Sequence, residues 1–190
     1  MLYEIAHFVQ NKLPWLWDCV EWGNAMLCAA RYDVQKVILQ HEGVRIAEVC
    51  DAHALSVFFS EQPEDSFRWF KPHKFDEQTM ASLLRRKSYI IYIVEDEGKI
   101  AGYAFLRCFF NGKCFLGKMV DSKHQGKGIC TKLCAEGMNI ASQLGLRMFE
   151  SINKENVGSM KASQKACKVV VVEELKDGDL LIEDFLKEKV

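Results

Sequence analysis

Residues 119–130, Met-Val-Asp-Ser-Lys-His-Gln-Gly-Lys-Gly-Ile-Cys, run an apolar stretch into a glycine-bearing turn that opens a helical pattern. At such a helix start the main-chain N–H groups have no intrahelical acceptor and carry the positive end of the helix dipole. They can therefore solvate a pyrophosphate with few side-chain cations. Gly126 and Gly128 leave room for close approach, and Lys127 adds charge. The turn lacks the spacing and Lys-Ser/Thr of a nucleoside-triphosphate loop, and the third glycine and later acidic residue of a dinucleotide fingerprint. A plain strand-to-helix connection would use the same residues without a ligand.

Gln125-Gly126-Lys127-Gly128-Ile129-Cys130 resembles the pantetheine-pyrophosphate loop of the GNAT acetyltransferase superfamily, whose pattern is Gln or Arg, two residues, Gly, one residue, Gly or Ala. Gln125 and Gly128 match, and Cys130 stands where Gly or Ala is usual. A second match, Asn156-Val157-Gly158-Ser159 through Lys165-Ala166-Cys167, resembles the family's Asn-x-x-Ser helix with its closing Lys-x-Gly-Phe turn. Cys167-Lys168 replaces Gly-Phe, and Ser163 stands where many members carry a tyrosine. The resemblance spans roughly the last three quarters of the chain.

The resemblance implies an α+β fold: a mixed, mostly antiparallel twisted sheet of about seven strands, helices on both faces, and a central parallel pair that splays apart. The splayed strands would be Cys114 to Val120 and Leu146 to Ile152. It implies acetyl-CoA as cosubstrate, with the main-chain N–H of Met119 or Val120 stabilising an oxyanion and the amides from Gln125 through Cys130 holding the pyrophosphate. Asn156 would orient the pantetheine arm or an ordered water, with Ser159 one turn along; local capping of a helix start reads both residues equally well. The family tyrosine usually protonates the departing thiolate. Ser163 is a shorter, weaker acid, but a thiolate with a pKa of about 8.5 is a tolerable leaving group near neutral pH. Acid assistance is typically worth about 10² to 10⁴, so a slower enzyme is expected. The activity implied is transfer of an acetyl group to the primary amine of a small molecule, with amino sugars among the candidates. A non-catalytic or regulatory CoA-binding module is the alternative.

Two further readings come from the residues. Glu150, between Phe149 and Ser151 on a central strand, is the candidate base; a structural ion pair explains an expensive buried carboxylate as well. Ser66 to Phe75 is aromatic for a loop. Trp69, His73 and Phe75 are expected to form the acceptor pocket, with Phe67 and Phe70 anchoring the connection over the core.

Composition sets the frame. A length of 190 residues suits one domain with an extension: a helical segment over 1–43, packed on the core, and the catalytic domain over 44–190. A net charge of −1 offers no footprint for nucleic acid or an anionic membrane. No apolar run reaches a spanning length and no basic segment leads into an apolar one at the N-terminus, so a cytoplasmic protein is expected. The chain has eight cysteines, and Cys19, Cys28, Cys108, Cys114, Cys130, Cys134 and Cys167 sit among apolar neighbours with no Cys-x-x-Cys pair. Buried free thiols are the expectation. Cys130, Cys134 and His124 lack a fourth ligand for zinc, so no metal is expected. Trp15, Trp17 and Trp22 fall in the extension, where core packing is expected and a homodimer interface is the alternative task.

Periodicity predicts the elements that must position these residues. Leu2, Ile5, Phe8, Val9 and Leu13 have helical spacing that Pro14 ends; Leu16, Cys19, Val20, Gly23, Met26, Leu27 and Ala30 form the apolar face of a second helix. Val34 to Leu39 and Val44 to Val49 read as a hairpin, and Asp51 and Asp76 as helix caps. Strands are predicted over 88–95 and 99–109, joined at Asp96-Glu97-Gly98, and over 114–120, 146–152, 168–175 and 179–185. Helices are predicted from the loop to about 144 and over 155–166. Gly117, inside a strand, suggests a bulge, a close backbone approach or a packing glycine.

Overall fold

The computed structural model describes residues 14–175 and 178–187; the helical pattern at residues 2–13 lies outside them. Seven strands form one sheet: β1 (Val44–Ile46), β2 (Tyr89–Asp96), β3 (Lys99–Cys108), β4 (Lys113–Val120), β5 (Arg147–Asn153), β6 (Lys168–Glu174) and β7 (Asp179–Phe185), in the order β1-β2-β3-β4-β5-β7-β6. Five helices are described: α1 (Pro14–Arg31), α2 (Ala52–Ser60), α3 (Glu77–Arg85), α4 (Ile129–Gln143) and α5 (Val157–Ala166). Alternation along the strands sends side chains to both faces, and each face builds a core. Leu55, Phe59 and Met80 of α2 and α3 pack with Ile93, Tyr103, Phe105 and Met119. Leu133, Ile140 and the rest of the α4 side pack with Tyr92, Leu106, Leu116 and Met148.

The tight turns behave as predicted. Glu97 and Gly98 both take positive φ, 49° and 75°, as a two-residue hairpin turn between twisted strands requires. The crossover through α4 makes β5 parallel to β4, and this pair is the sheet's weak seam. Its register covers only Lys113↔Arg147, Cys114↔Met148 and Phe115↔Phe149. Beyond those, β4 continues against β3 as far as Val120 and β5 continues against β7 as far as Asn153, while the two strands no longer pair with each other. The parallel pair splays, as expected.

Several local expectations are corrected. Val34 to Leu39 is not a strand of a hairpin: Val34–Lys36 forms a 3-10 turn, and β1 pairs with β2. The segment after the turn is held by polar side chains of α4 instead. Ile38 N donates to Gln143 Oε1 at 3.0 Å, and the amides of Gln40 and His41 donate to the buried Glu136 carboxylate, His41 at 2.9 Å. Asp76 caps α3 by accepting from Thr79 N at 2.9 Å. Asp51 does not cap α2; it accepts from Glu48 N at 2.7 Å and pairs with Arg45, closing the turn before the helix. Gly117 marks no bulge, because the β3–β4 register is unbroken. It lies opposite Phe105, and a Cβ there would stand 2.4 Å from the Phe105 ring.

Helix α1 reverses the expected orientation of its faces. Pro14 begins it, as suits a residue with fixed φ and no N–H to lose. The predicted apolar face is turned outward: Val20, Met26 and Leu27 are exposed, and Trp15 and Trp22 lie outside the core at 64% and 69% exposure. Docking is polar instead. Buried Asn24 donates to Cys108 O at 2.9 Å and accepts from Phe110 N at 3.1 Å; Tyr32 donates to Phe109 O at 2.9 Å; Glu21 pairs with Arg107. Periodicity reports which face is apolar, but satisfying the main-chain groups at the end of β3 decided which face went inward. Cys19 is likewise exposed, with Cys50, while Cys28, Cys108, Cys114, Cys134 and Cys167 are buried; all eight cysteines are free thiols.

The Gly117–Phe105 contact generates a stability prediction. Gly117→Val should cost about 1–3 kcal/mol through overpacking, because Phe105 is itself only 6% exposed and has little room to swing away. Urea denaturation checks this; an unchanged midpoint would show that the ring yields freely.

Candidate functional site

The splay opens onto a groove. A cavity of about 600 Å³ runs between the 65–70 segment, the end of β4, the turn before α4, and α5; Met119, Val120, Gln125, Asn156 and Lys165 mark its course. A smaller cavity of about 70 Å³ lies in the gap itself, walled by Leu116, Gly117 and Lys118 from β4, Glu150 to Asn153 from β5, and Trp69 and Phe70.

The turn before α4 is shaped for an anion. Gly126 and Gly128 take φ of 78° and 82°, a left-handed conformation that L side chains rarely adopt. A Cβ on either would meet nothing within 4 Å, so the space in front of the turn is open. Lys132 N is the first α4 amide to find a helical partner, Gly128 O at 3.0 Å. The amides of Ile129, Cys130 and Thr131 precede it, and all three residues line the groove. Gln125, Gly126, Gly128, Ile129 and Cys130 line the groove; Lys127 does not, its ammonium lying 3.9 Å from Asp96. Lys161 and Lys165 of α5 line the opposite wall. Their spacing is one helical turn, a pattern visible in the sequence.

The remaining predicted residues divide. Asn156 caps α5, accepting from Ser159 N at 3.2 Å, and both residues also line both cavities. Trp69 lines both cavities with the Arg68 guanidinium stacked 4.6 Å over its ring, and Arg68 in turn pairs with Glu155 at 2.6 Å. Phe70, read from the sequence as an anchor, lines both as well. His73 and Phe75 sit apart from the cavity walls, in the α2/α3 core. Phe75 stacks on Phe59 at 4.2 Å, and His73 Nε2 lies 3.1 Å from the Tyr103 hydroxyl. Burial lowers the His73 pKa, which favours the neutral ring.

Beneath the gap lies a charged cluster whose centre, Lys118, gave no warning in the sequence. The Lys118 ammonium pairs with Glu150 across the splayed strands, and both side chains are nearly sealed, at 4% and 3% exposure. Ser163 is completely buried and belongs to neither cavity wall; it donates to Glu150 Oε1 at 2.9 Å and accepts from Lys118 at 3.1 Å. Burial works against the Lys118 charge, yet its pKa is held above the usual lysine value by Cys134, Glu150 and Cys130. The Cys134 thiol is itself pushed well up by its hydrogen bond with Cys130 and by burial, and the same hydrogen bond lowers the Cys130 pKa. Asp184, 2% exposed, lies beside Glu150, and a proton on Asp184 is donated to that carboxylate. Burial, and then the charge of Glu150 beside it, push its pKa to about 8.

Three comparisons place this architecture. The model of the Acetyltransferase (GNAT) family matches residues 54–167. Among solved structures, yncA, a putative acetyltransferase from Salmonella typhimurium with its cofactor acetyl-CoA, superposes with a TM-score of 0.62 at 20% identity, over 77% of this chain and 94% of that one. A ribosomal-protein-alanine N-acetyltransferase from Brucella melitensis gives 0.59 at 23% identity, over 76% and 99%. A spermidine N-acetyltransferase chimera from Vibrio cholerae and hSSAT gives 0.61 at 18%, over 75% and 93%. Identities this low establish the fold alone. No curated protein sequence matches the chain.

The cluster makes stability pH-dependent in a defined direction. Asp184 binds its proton more tightly in the folded state than unfolded, so stability is fully present below the ordinary aspartate pKa of about 3.9 and falls as pH rises toward about 8. Asp184→Asn should flatten that decline, giving a variant that gains on wild type between pH 4 and pH 8. Denaturant melts at several pH values measure it; parallel curves for the two proteins would rule out a protonated Asp184.

Proposed function

The chain belongs to the GNAT acetyltransferase family, and from that premise we propose that it moves an acetyl group from acetyl-CoA to the primary amine of a small molecule by direct attack. The observation that carries this is the break in β4–β5 pairing, opening beside a glycine turn at a helix N-terminus. The groove has the residues a CoA needs: free helix-start amides for pyrophosphate, Lys161 and Lys165 for phosphate charge, and uncovered strand edges for an amide-bearing arm. Acetyl-CoA supplies the activated carbonyl; the chain binds, orients and moves protons. Main chain at Met119 and Val120 is suited to donate to the developing oxyanion, and Asn156 and Ser159 to orient the bound arm or a water. Glu150, bordering the smaller cavity, takes the amine proton directly or through water.

Ser163 is too enclosed to reach a leaving thiolate, and we assign it to holding Glu150 instead. The thiolate then departs with solvent as its proton source, at the expected loss in rate. Trp69 and Phe70 provide the apolar wall for the acceptor, an arrangement that suits an amino sugar or related metabolite. Free thiols throughout the chain support a reducing, cytoplasmic setting, and no described helix is long and apolar enough to cross a membrane. The burial of Ser163 favours one second reading, a module that binds CoA without transferring from it.

Calorimetry and thiol release separate these readings. Acetyl-CoA should bind and raise the melting temperature. Gly128→Asp should weaken that binding about tenfold or more, about 1.4 kcal/mol at least, by placing charge and a Cβ against the phosphate site. Unchanged affinity in a folded variant would remove the assignment. Transfer should appear as CoA thiol release in a screen of amino sugars, amino acids, polyamines and peptide N-termini; binding with no release from any would favour the non-catalytic module. Trp69→Ala should raise the acceptor KM while leaving the acetyl-CoA Kd nearly unchanged, and wild-type kinetics in that variant would move the acceptor elsewhere.

A further inference from the structure

The polar contact that spans the splayed strands is Lys118 to Glu150. A buried ion pair is a poor device for stability, since desolvating two charges offsets their attraction and apolar side chains of similar size fill such a space as well. Its position is informative for another reason. Glu150 borders the cavity in the gap, and both its oxygens are already held, one by the Lys118 ammonium and one by the Ser163 hydroxyl. A carboxylate has about four acceptor sites, so Glu150 keeps one for a partner from the cavity beside those that Lys118, Ser163 and protonated Asp184 take.

The groups facing Glu150 determine what Lys118 does for it. From β4 comes Lys118, from β2 Tyr92, from α4 Cys130 and Cys134, from α5 and its C-cap Ser163 and Cys167, and from β7 Asp184, with Cys114 of β4 beside Asp184. Burial pushes Tyr92 well above its ordinary value and the Cys114 and Cys167 thiols to about 12, so these stay neutral. Asp184 lies diagonally across from Glu150, two residues beyond its β7 partner Ile182, and is a second carboxyl whose hydrogen-bond partner is Glu150 itself. One ammonium therefore faces two carboxyls. It pairs with Glu150 and not Asp184, which leaves Asp184 to hold the proton.

We propose that Lys118 is a positioning residue for acyl transfer: it spans the gap left by the broken ladder and keeps Glu150 ionised and aimed into the cavity. This rests on the acetyltransferase reading above. In the step it serves, the acceptor nitrogen forms a bond to the thioester carbonyl carbon, the C–S bond breaks with its electron pair leaving on sulfur, and the amine proton passes to Glu150 and then to solvent. Lys118 keeps its own proton throughout. Without it, Glu150 would lie in an apolar, sealed site beside another carboxyl and would take up a proton instead.

The test has a readout in the ligand-free protein. The Glu150 side-chain carboxyl carbon, assigned by comparison with Glu150→Gln, is titrated by NMR in wild type, Lys118→Met and Lys118→Arg. Its midpoint should move up by about one unit or more in Lys118→Met and stay near wild type in Lys118→Arg. The low-pH limb of thiol-release turnover should move with it. At neutral pH, kcat in Lys118→Met should fall about 100-fold with little change in acetyl-CoA Kd, and Lys118→Arg should recover most of the loss. Lys118→Gln, which removes the charge but keeps hydrogen-bonding atoms, runs in parallel in case the methionine variant does not fold. An unmoved titration in the folded uncharged variant, a shifted titration with an unmoved rate limb, or an arginine variant no better than methionine would each overturn the proposal. Wild-type protein that binds acetyl-CoA but transfers nothing would instead sink the functional reading on which it rests.

Discussion

The molecule is organised around main-chain pairing that is missing. Over 113–115 and 147–149 the central strands are bonded as any parallel pair, and beyond that each keeps only its outer neighbour. Orphaned N–H and C=O groups in a sheet interior are costly unless something meets them. The gap is therefore a structural debt. It opens toward the end of β4, where the chain turns through residues 121–128 into α4, which packs on the sheet over β3, β4 and β5.

The two cores make that seam tolerable. On the α2/α3 face an aromatic set of Phe59, Phe70, Phe75, Tyr103 and Phe105 locks β3 and β4 together, with Phe105 lying over the bare backbone of Gly117. Close aromatic contacts of this kind add stabilisation beyond the area they bury. On the α4/α5 face the Tyr92 hydroxyl donates to Leu133 O at 2.9 Å, tying the sheet to the helix whose first turn faces the groove. The first turn of α4 is thus tied to the sheet by a contact one turn further along the helix.

The charged cluster under the gap follows from the same geometry. Lys118 and Glu150 are adjacent because splaying places their strands at side-chain distance, where main-chain bonding would have drawn them closer. Asp184 joins them through the β5–β7 ladder. Lys118 pairs with Glu150, and burial beside that carboxylate pushes Asp184 toward its protonated form.

Local rules were enough to reveal much of this from the chain itself. The glycine turn at 126–128, the hairpin at 96–98, the Asp76 cap and the strand-helix-strand order all depend on a few neighbouring residues, whose conformational limits are intrinsic. The Asn156 cap and the phosphate-loop pattern are of this kind, and with them most of the groove. Other features were settled only by contacts distant in sequence. Val34 to Leu39 has strand composition, but Glu136 and Gln143 on α4 claim its backbone. The apolar face of α1 is plain in the sequence, yet Asn24 docks the other side because the end of β3 offers unsatisfied main-chain groups. His73 joins the α2/α3 core and Phe70, which packs on that core, also lines the gap, since only the path of the loop over the sheet determines which ring meets which surface. Lys118 is the clearest case: a lysine in a strand reads as a surface residue, and nothing short of the folded sheet places a carboxylate across from it.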